Sequence, residues 1–374
     1  MKKLLSLLLA VLLVFTAALP AFAAPNGEDD EFGVAKGYVR TKEAWKSSSG
    51  ETTTITRTLN KQGKTIKEVE TFKSESSSSR RVKTFTFDKK GFLVKSTEDV
   101  SYSDGDSYQM VVLYTNDKKG RPIREEYQAG ENSHTFERTY NKQGKLAKEV
   151  NYFNTGIEAT VFTYDKKGNV TKQTSRTDYE DNTWTTVTIT YTYDKRGNQT
   201  RETYAQLDSD GGTEKHVIAD TYNAKGQLVK RTDNYAFDNN VDYQSTTKRV
   251  ITYTYAKNGK VAKEVEKAVF DNGPAETTTT VNVYDSKDRL IKTAVNELNG
   301  GGSSKSITTY AYDAKGNLVK EVAVYKDMDG SSKTVDTYSY DKAGNLLKHV
   351  HTFQYPGADT AKDVSTYAYQ KVGK

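Results

Sequence analysis

The chain contains no cysteine, only five prolines and only four histidines among its 374 residues. Without cysteine, the fold cannot depend on disulfides, even if the protein folds outside the cytosol. Aliphatic residues are also sparse, and the mean hydropathy of -0.78 is strongly polar. A compact two-layer sandwich of this length would need a denser Leu, Ile and Val core. Tyr and Thr are abundant instead, and proline interrupts few of the segments that contain them, which favours β-strands.

The N-terminal residues have the composition of a secretory signal peptide. Lys2 and Lys3 precede an apolar run from Leu4 to Leu19, and Ala21-Phe22-Ala23 forms a small-residue cleavage site. We therefore predict a signal peptide over residues 1–23, a short acidic linker over 24–31 and a mature bacterial protein that is secreted, extracellular or periplasmic. The apolar run is short for a membrane-spanning helix, so we expect no transmembrane segment in the mature chain.

One motif is repeated along the rest of the chain. It reads Tyr-x-Tyr-Asp-x-x-Gly-Asn-Leu in its fullest form at residues 310–318, and it recurs with small changes at 164–172, 193–201, 222–230 and 340–348. The steps between copies are 24 to 33 residues, so residues 32–374 are interpreted as a single domain of about twelve repeats. The last copy stops at its turn, and we expect it to remain an unpaired half unit.

Each copy predicts a β-hairpin. Asp followed by two residues and Gly is typical of a three-residue loop, in which a type I turn is followed by a left-handed residue. Departures follow the same chemistry, because Asn60, Asn141 and Asn223 replace the Asp, and Asp288 replaces the Gly. The predicted fold class is all-β: tandem antiparallel hairpins that form one long meander, curled into a roll, a spiral or an open barrel-like sheet. A fully closed barrel would require the irregular first copies to pair with the last copies.

The register inferred from these turns predicts an aromatic and basic ladder. We expect the Tyr before the turn to face an aliphatic residue, and the Tyr two positions earlier to face the basic residue that comes fourth after the Gly. This places Tyr, Leu and Lys on one face and Thr, Val and Glu on the other. The candidate ligand-binding residues are the outer tyrosines Tyr191, Tyr253, Tyr310, Tyr338 and Tyr367 and the basic residues Arg201, Lys230, Lys263, Lys320 and Lys348.

Two interpretations of this ladder are open. It could bind anionic polymers such as teichoic acid, or stack sugars on tyrosine rings. Alternatively, the Lys stems only cover apolar surface while neighbouring Glu residues neutralise them. The formal charge of +6 falls to +4 once Lys2 and Lys3 are removed, and without a concentrated positive field we expect no nucleic-acid partner.

The other candidate sites each lack a residue that the corresponding chemistry requires. His349 and His351 have a spacing that two metal ligands could use, but no third ligand accompanies them. Asp208-x-Asp210 and Asp327-x-Asp329 echo calcium loops without the Glu that ends such a loop. A Glu follows the basic residue in six copies, at Glu68, Glu125, Glu149, Glu202, Glu264 and Glu321. Because an active site is made once, this recurrence indicates a structural ladder rather than a catalytic pair. We therefore predict no metal, no cofactor, no catalytic residue and no enzyme.

The motif at residues 310–318 resembles the YD repeats of bacterial Rhs and wall-associated secreted proteins. That resemblance implies hairpins coiled into a spiral or shell, with some members linked to carbohydrate binding. A related resemblance is to YD-like repeat domains of secreted gut bacterial proteins that form porin-like or roll-shaped sheets. The expected function is a non-enzymatic binding module for cell-wall or host glycans or other surface polymers. The alternative is a structural or surface-display scaffold that associates with itself or with another protein through its sheet edges.

Overall fold

The protein is all-β, and its strands follow each other in one antiparallel meander. The computed structural model describes residues 34, 38–130, 132–241, 243–271, 273–328, 330–355, 357 and 359–371. The predicted signal peptide, the acidic linker and the end of the last repeat lie outside the described residues. The strands are β1 (Tyr38–Lys46), β2 (Thr52–Leu59), β3 (Thr65–Lys73), β4 (Ser78–Phe87), β5 (Leu93–Tyr102), β6 (Ser107–Asn116), β7 (Pro122–Ala129), β8 (Asn132–Tyr140), β9 (Leu146–Phe153), β10 (Gly156–Tyr164), β11 (Val170–Tyr179), β12 (Trp184–Tyr193), β13 (Gln199–Asp208), β14 (Thr213–Tyr222), β15 (Leu228–Asp238), β16 (Gln244–Tyr255), β17 (Val261–Phe270), β18 (Glu276–Tyr284), β19 (Leu290–Asn299), β20 (Gly302–Tyr312), β21 (Leu318–Asp327), β22 (Gly330–Tyr340), β23 (Leu346–Gln354) and β24 (Ala361–Lys371).

The turns that join even-numbered to odd-numbered strands have the predicted three-residue geometry. In the turn after β10, the Gly168 N–H donates to the Asp165 carbonyl at 3.0 Å, and the Asp165 N–H donates to the Asn169 carbonyl at 2.9 Å. The glycine has a φ of 85°, and Asp288, which replaces glycine in its copy, has a φ of 61°. The Asp165 carboxylate also accepts the Asn169 N–H at 2.9 Å, which explains why Asp or Asn begins nearly every copy. We call these eleven connections the regular turns.

The meander closes on itself. β1 pairs with β24 through partners that run from Tyr38 with Lys371 to Lys46 with Val364. The expectation that the last copy ends as an unpaired half unit is therefore wrong, because β24 lies between β23 and β1. The two sheet edges through which association was expected, β1 and β24, pair with each other. Closure satisfies the backbone groups that an open edge would expose.

The ring is too wide for its own side chains to fill. Following the paired residues once around the ring displaces the starting point by about 24 residues, or about one residue per strand, which corresponds to a strand tilt of about 36°. With strands about 4.8 Å apart, a round cross-section would have a backbone diameter of about 45 Å. The accessible surface of 24684 Å² greatly exceeds the roughly 15,000 Å² of a compact monomer of this mass. The protein is therefore a hollow single-layered barrel.

The face that carries the tyrosines lies towards the lumen. Near the regular turns, residues on this face are half-buried, whereas residues on the other face are exposed, as Tyr191 and Thr192 illustrate. Side chains on the concave side of a curved sheet converge and shield each other, so the more buried face is the inner one.

Backbone chirality gives the same assignment. Consider the barrel viewed from outside, with β10 running upwards. Because barrel strands twist right-handedly, the direction of the register displacement around the ring places β11 to the right of β10. Thr163 directs its N–H and C=O towards β11, as Asp165 does two residues later. An L-residue oriented in this way points its side chain at the outside viewer. Thr163 therefore faces outwards, and Tyr164 faces the lumen.

Candidate functional site

A β-bulge beside each regular turn separates the predicted aromatic and basic ladder into two faces. Tyr312 faces Leu318 as predicted, but the register then shifts, so that Ala311 faces Lys320 and Tyr310 faces Glu321. The expectation that the outer tyrosine faces the basic residue is wrong. One extra residue in the odd strand reverses which side chains share a face, since side chains alternate with a period of two.

The basic residues form a continuous row on the outer face, which we call the outer basic row. Each odd-numbered strand from β3 to β23 places one exposed cation there, in the order Lys67, Lys95, Arg124, Lys148, Lys172, Arg201, Lys230, Lys263, Lys292, Lys320 and Lys348. Successive members lie two strands apart and two residues nearer the turn, so their backbone positions are about 12 Å apart around the ring. The structure therefore brings Arg201, Lys230, Lys263, Lys320 and Lys348 into one row.

The members of this row lack acidic neighbours. Lys320 pairs with Ala311 on one side and Thr337 on the other, and Lys230 pairs with Thr221 and Thr252. Arg124 is the exception in the described strands, since it forms ion pairs with Glu126 and Glu137. The interpretation in which adjacent Glu residues neutralise the lysines requires both on one face, and the wall of the barrel separates them.

The five candidate tyrosines lie on the lumen face. Tyr253 faces Glu264, and Tyr191 faces Glu202 in the same way. Desolvation raises the pKa of both tyrosines to about 12, and it also raises the pKa of the Glu264 carboxyl. The ring of Tyr338 is also fixed in place by stacking on His349, with ring centroids 4.7 Å apart. These tyrosines belong to the inner wall and do not meet the outer basic row.

A tyrosine that ends an even-numbered strand crosslinks neighbouring hairpins at eight of the eleven regular turns, and Tyr369 in β24 forms the same bond. The Tyr340 hydroxyl donates to the Leu318 carbonyl at 2.8 Å, and Tyr312 donates to the Leu290 carbonyl at 2.8 Å. The same bond recurs from Tyr140, Tyr164, Tyr193, Tyr222, Tyr255, Tyr284 and Tyr369. Each bond satisfies a carbonyl at the start of an odd strand, so the repeated tyrosine has a structural role.

The end of the barrel formed by the regular turns is strongly basic, and we call it the basic rim. Its turns contain twenty Lys and Arg residues against eight Asp residues. Several cations hold consecutive turns together by donating to a carbonyl of the next turn, as Lys145 does to Gly168 and Lys260 does to Asp288 at 2.9 Å. Because these bonds leave the charges in place, the rim is a cationic collar on a rigid support.

The opposite end carries the other sign of charge. The loops that join odd-numbered to even-numbered strands contain nine carboxylates and no Lys or Arg among their described residues, and we call this end the acidic rim. The carboxylates belong to Glu51, Glu75, Asp104, Asp106, Glu180, Asp181, Asp210, Asp271 and Asp359. These loops also expose large apolar side chains, including Val241 at 85% and Met328 at 78% of their surface. No single loop contributes more than two of these carboxylates, so the shared sign of charge is not evident from any one loop in the sequence.

The remaining candidate sites are held by hydrogen bonds. The Asp336 carboxylate accepts from His349 at 2.6 Å and from His351 at 2.8 Å on the lumen face. Asp208 accepts from Thr185 at 2.7 Å, and Asp210 accepts the Gly212 N–H at 3.1 Å. Within the described residues, no group of three or more His, Asp or Glu side chains could hold a metal ion. Asp329, from the second Asp-x-Asp pair, lies outside the described residues.

The lumen face also holds ion pairs that the sequence did not reveal. Arg138 bridges Glu125 and Glu149 from neighbouring strands, and Arg57 bridges Glu43 and Glu68 in the same way. Each Arg occupies a position that is hydrophobic or aromatic in most copies, so only the register shows that it lies between two carboxylates. The described residues contain no helix long and apolar enough to cross a membrane.

Comparisons with known proteins give no family. No family model and no curated protein match the chain. Among solved structures, a porin-like protein from Bacteroides uniformis ATCC 8492 is similar, with 11% identity, 88% of this chain and 98% of that chain covered, and a TM-score of 0.24. A porin-like protein from Bacteroides vulgatus ATCC 8482 has 10% identity, 66% and 98% coverage, and a TM-score of 0.18. Likenesses of this degree carry no argument about function, and the resemblance to YD repeats stays a prediction.

Proposed function

We propose that the protein is a secreted, non-enzymatic binding module that recognises polyanionic polymers of a cell wall or host surface through its outer basic row. The supporting observation is that this row is exposed and, apart from Arg124, flanked by neutral residues, while a Glu that follows a cation of the row in sequence, as Glu321 follows Lys320, lies on the lumen face. Unpaired lysines on a rigid wall present a fixed positive field to an extended polyanion.

The repeat architecture suits such a ligand. A linear polymer that follows the ring meets one cation per hairpin, at intervals of about 12 Å. The affinity of each contact is small, because exposed charge pairs contribute about 0.2 to 1 kcal/mol. Several weak contacts made at once add to a useful affinity, and their electrostatic origin makes the binding sensitive to salt.

The candidate residues supply two variants, one for each face of the wall. One replaces the outer cations with Gln, at Arg201, Lys230, Lys263, Lys320 and Lys348, and the other changes the lumen residues Tyr310→Leu and Tyr338→Leu. The probes are immobilised poly(glycerol phosphate) and a neutral glucan, each measured at low and high salt. We expect wild type to bind only the phosphate polymer, the outer variant to bind it about tenfold more weakly, and the lumen variant to bind like wild type.

Two results would overturn this proposal. The first is outer-variant affinity equal to that of wild type for the phosphate polymer. The second is salt-resistant binding of the neutral glucan that the lumen variant loses, which would place recognition on the tyrosine rings. The thermal unfolding of both variants is measured beside wild type, so that a loss of fold is separated from a loss of contacts.

A further inference from the structure

The two ends of the barrel are opposite in charge and equal in size. Charges in the regular turns sum to twelve positive, whereas the described loops at the other end sum to nine negative. Both rims are built by the same ring of strands, so their diameters match. A second copy of the chain placed on the same axis would bring the basic rim of one barrel onto the acidic rim of the next.

The cations of the basic rim form two groups, which differ in their position within the turn. The second residue of most regular turns is Lys, as at Lys89, Lys118, Lys166, Lys195 and Lys257, and each of these is exposed. The second group of cations, such as Lys145, lies across the next turn and bonds its carbonyl. The rim therefore has an inner layer of cations that brace the turns and an outer layer available to a partner.

We propose that copies of this protein stack head to tail, with the acidic rim of one barrel docked on the basic rim of the next. A ring about 140 Å in circumference and about 10 Å thick presents about 1,400 Å² per partner, which lies within the range of stable protein interfaces. The contact is heterologous, and both rims of a stack stay open, so it extends into a linear assembly. The exposed apolar side chains of the acidic rim, including Met328 and Val241, add to the buried surface.

Two rim variants test the stacking by complementation. The acid-rim variant changes Glu51→Lys, Glu75→Lys, Asp106→Lys, Glu180→Lys and Asp359→Lys. The basic-rim variant changes Lys89→Glu, Lys118→Glu, Lys166→Glu, Lys195→Glu and Lys257→Glu. The substituted carboxylates carry none of the turn hydrogen bonds described above. Each variant brings one rim close to neutrality and leaves the other rim intact.

Sedimentation velocity of the mature chain gives the readout. We expect wild type to form species larger than a dimer at about 20 mM salt and to dissociate at about 500 mM, where screening extends over only a few ångströms. Each variant alone is expected to be monomeric, and an equimolar mixture is expected to form 1:1 dimers that grow no further, since each retains one intact rim. Wild type that is monomeric at high concentration and low salt would overturn the proposal, as would a mixture that behaves as the sum of its parts.

The outer-row variant described above separates this inference from the proposed function. It leaves both rims intact, so it is expected to stack like wild type while it loses polymer binding. Should a reversed-charge variant fail to fold, the same positions changed to Gln or Asn provide the milder test. Neutralising either rim is expected to weaken self-association at least tenfold, and unchanged association would count against the stacking.

Discussion

Closure of the ring can be tested by one engineered disulfide, because the chain has no cysteine of its own. Ala44 on β1 and Thr366 on β24 are direct partners across the seam. Paired residues of antiparallel strands have Cα atoms about 4.5 to 5.5 Å apart, which a disulfide can bridge. We therefore expect Ala44→Cys combined with Thr366→Cys to oxidise almost completely in the folded protein.

The magnitude follows from the length of chain that the seam joins. The bond closes a loop of about 320 residues. Because this lowers the conformational entropy of the unfolded chain, the disulfide would raise the free energy of unfolding by up to about 6 kcal/mol. A control pair, Val322→Cys with Val335→Cys, joins partners within one ordinary hairpin and closes a loop of about 13 residues, for about 3 kcal/mol. Comparing urea unfolding of oxidised and reduced forms gives both values, and the seam disulfide is expected to stabilise more.

A misplaced pair completes the experiment. Ala44→Cys combined with Val364→Cys is two residues out of register, since Val364 pairs with Lys46, and we expect it to oxidise poorly. If the hairpin control forms its disulfide and the seam pair does not, the ring is open in solution. An open ring would also remove the lumen on which the assignment of the two faces depends.

Three further predictions concern single side chains. Asp341→Ala removes two bonds that hold the fully buried Asn345, at 2.8 and 2.9 Å, and is expected to lower the free energy of unfolding by about 1 to 3 kcal/mol in urea titrations, whereas an unchanged value would contradict the role of the turn carboxylate. Tyr340→Phe removes a hydroxyl that bonds a carbonyl of the preceding hairpin and is expected to cost about 0.5 to 1.5 kcal/mol in the same assay, with no cost counting against the crosslinking role. The hydrogen bond to Asp233 raises the pKa of His216, so this histidine stabilises the fold below its unfolded pKa of about 6.5, and that stabilisation is lost as the pH rises through its folded pKa. His216→Gln should therefore cost more stability at pH 5.5 than at pH 8.5, and a pH-independent difference would refute the linkage.

The local part of the fold could be predicted because its causes are local. Asp165, Gly168 and Asn169 specify their turn through bonds within five residues, and even the exception at Asp288 follows from the small set of residues that accept a positive φ. Strand order followed from the same turns, because consecutive hairpins can only form a meander. The all-β fold and the Tyr312 pairing with Leu318 were therefore within reach of the sequence.

The bulge was the point at which sequence reasoning about the site failed. Lys320 and Glu321 are adjacent, so an error of one residue exchanges them between the lumen and the outer surface. The turn signature indicates a left-handed glycine, but it does not show that the odd strand has an extra unpaired residue beside the turn. The candidate ladder was consequently assembled from residues that lie on opposite sides of the wall.

By itself, the sequence determined the repeat, the turn type, the pairing of Tyr312 with Leu318 and the all-β meander, because each is decided by interactions within one hairpin or with the next. Only the tertiary structure decided that β1 meets β24, that the tyrosines line a lumen and that the lysines face outwards. The physical reason is that twist and register displacement are small at each strand, so they decide whether the ring closes only when they are summed over all the strands. The opposite charges of the two rims arise in the same way, since residues scattered along the chain meet only when every second turn is brought to one end.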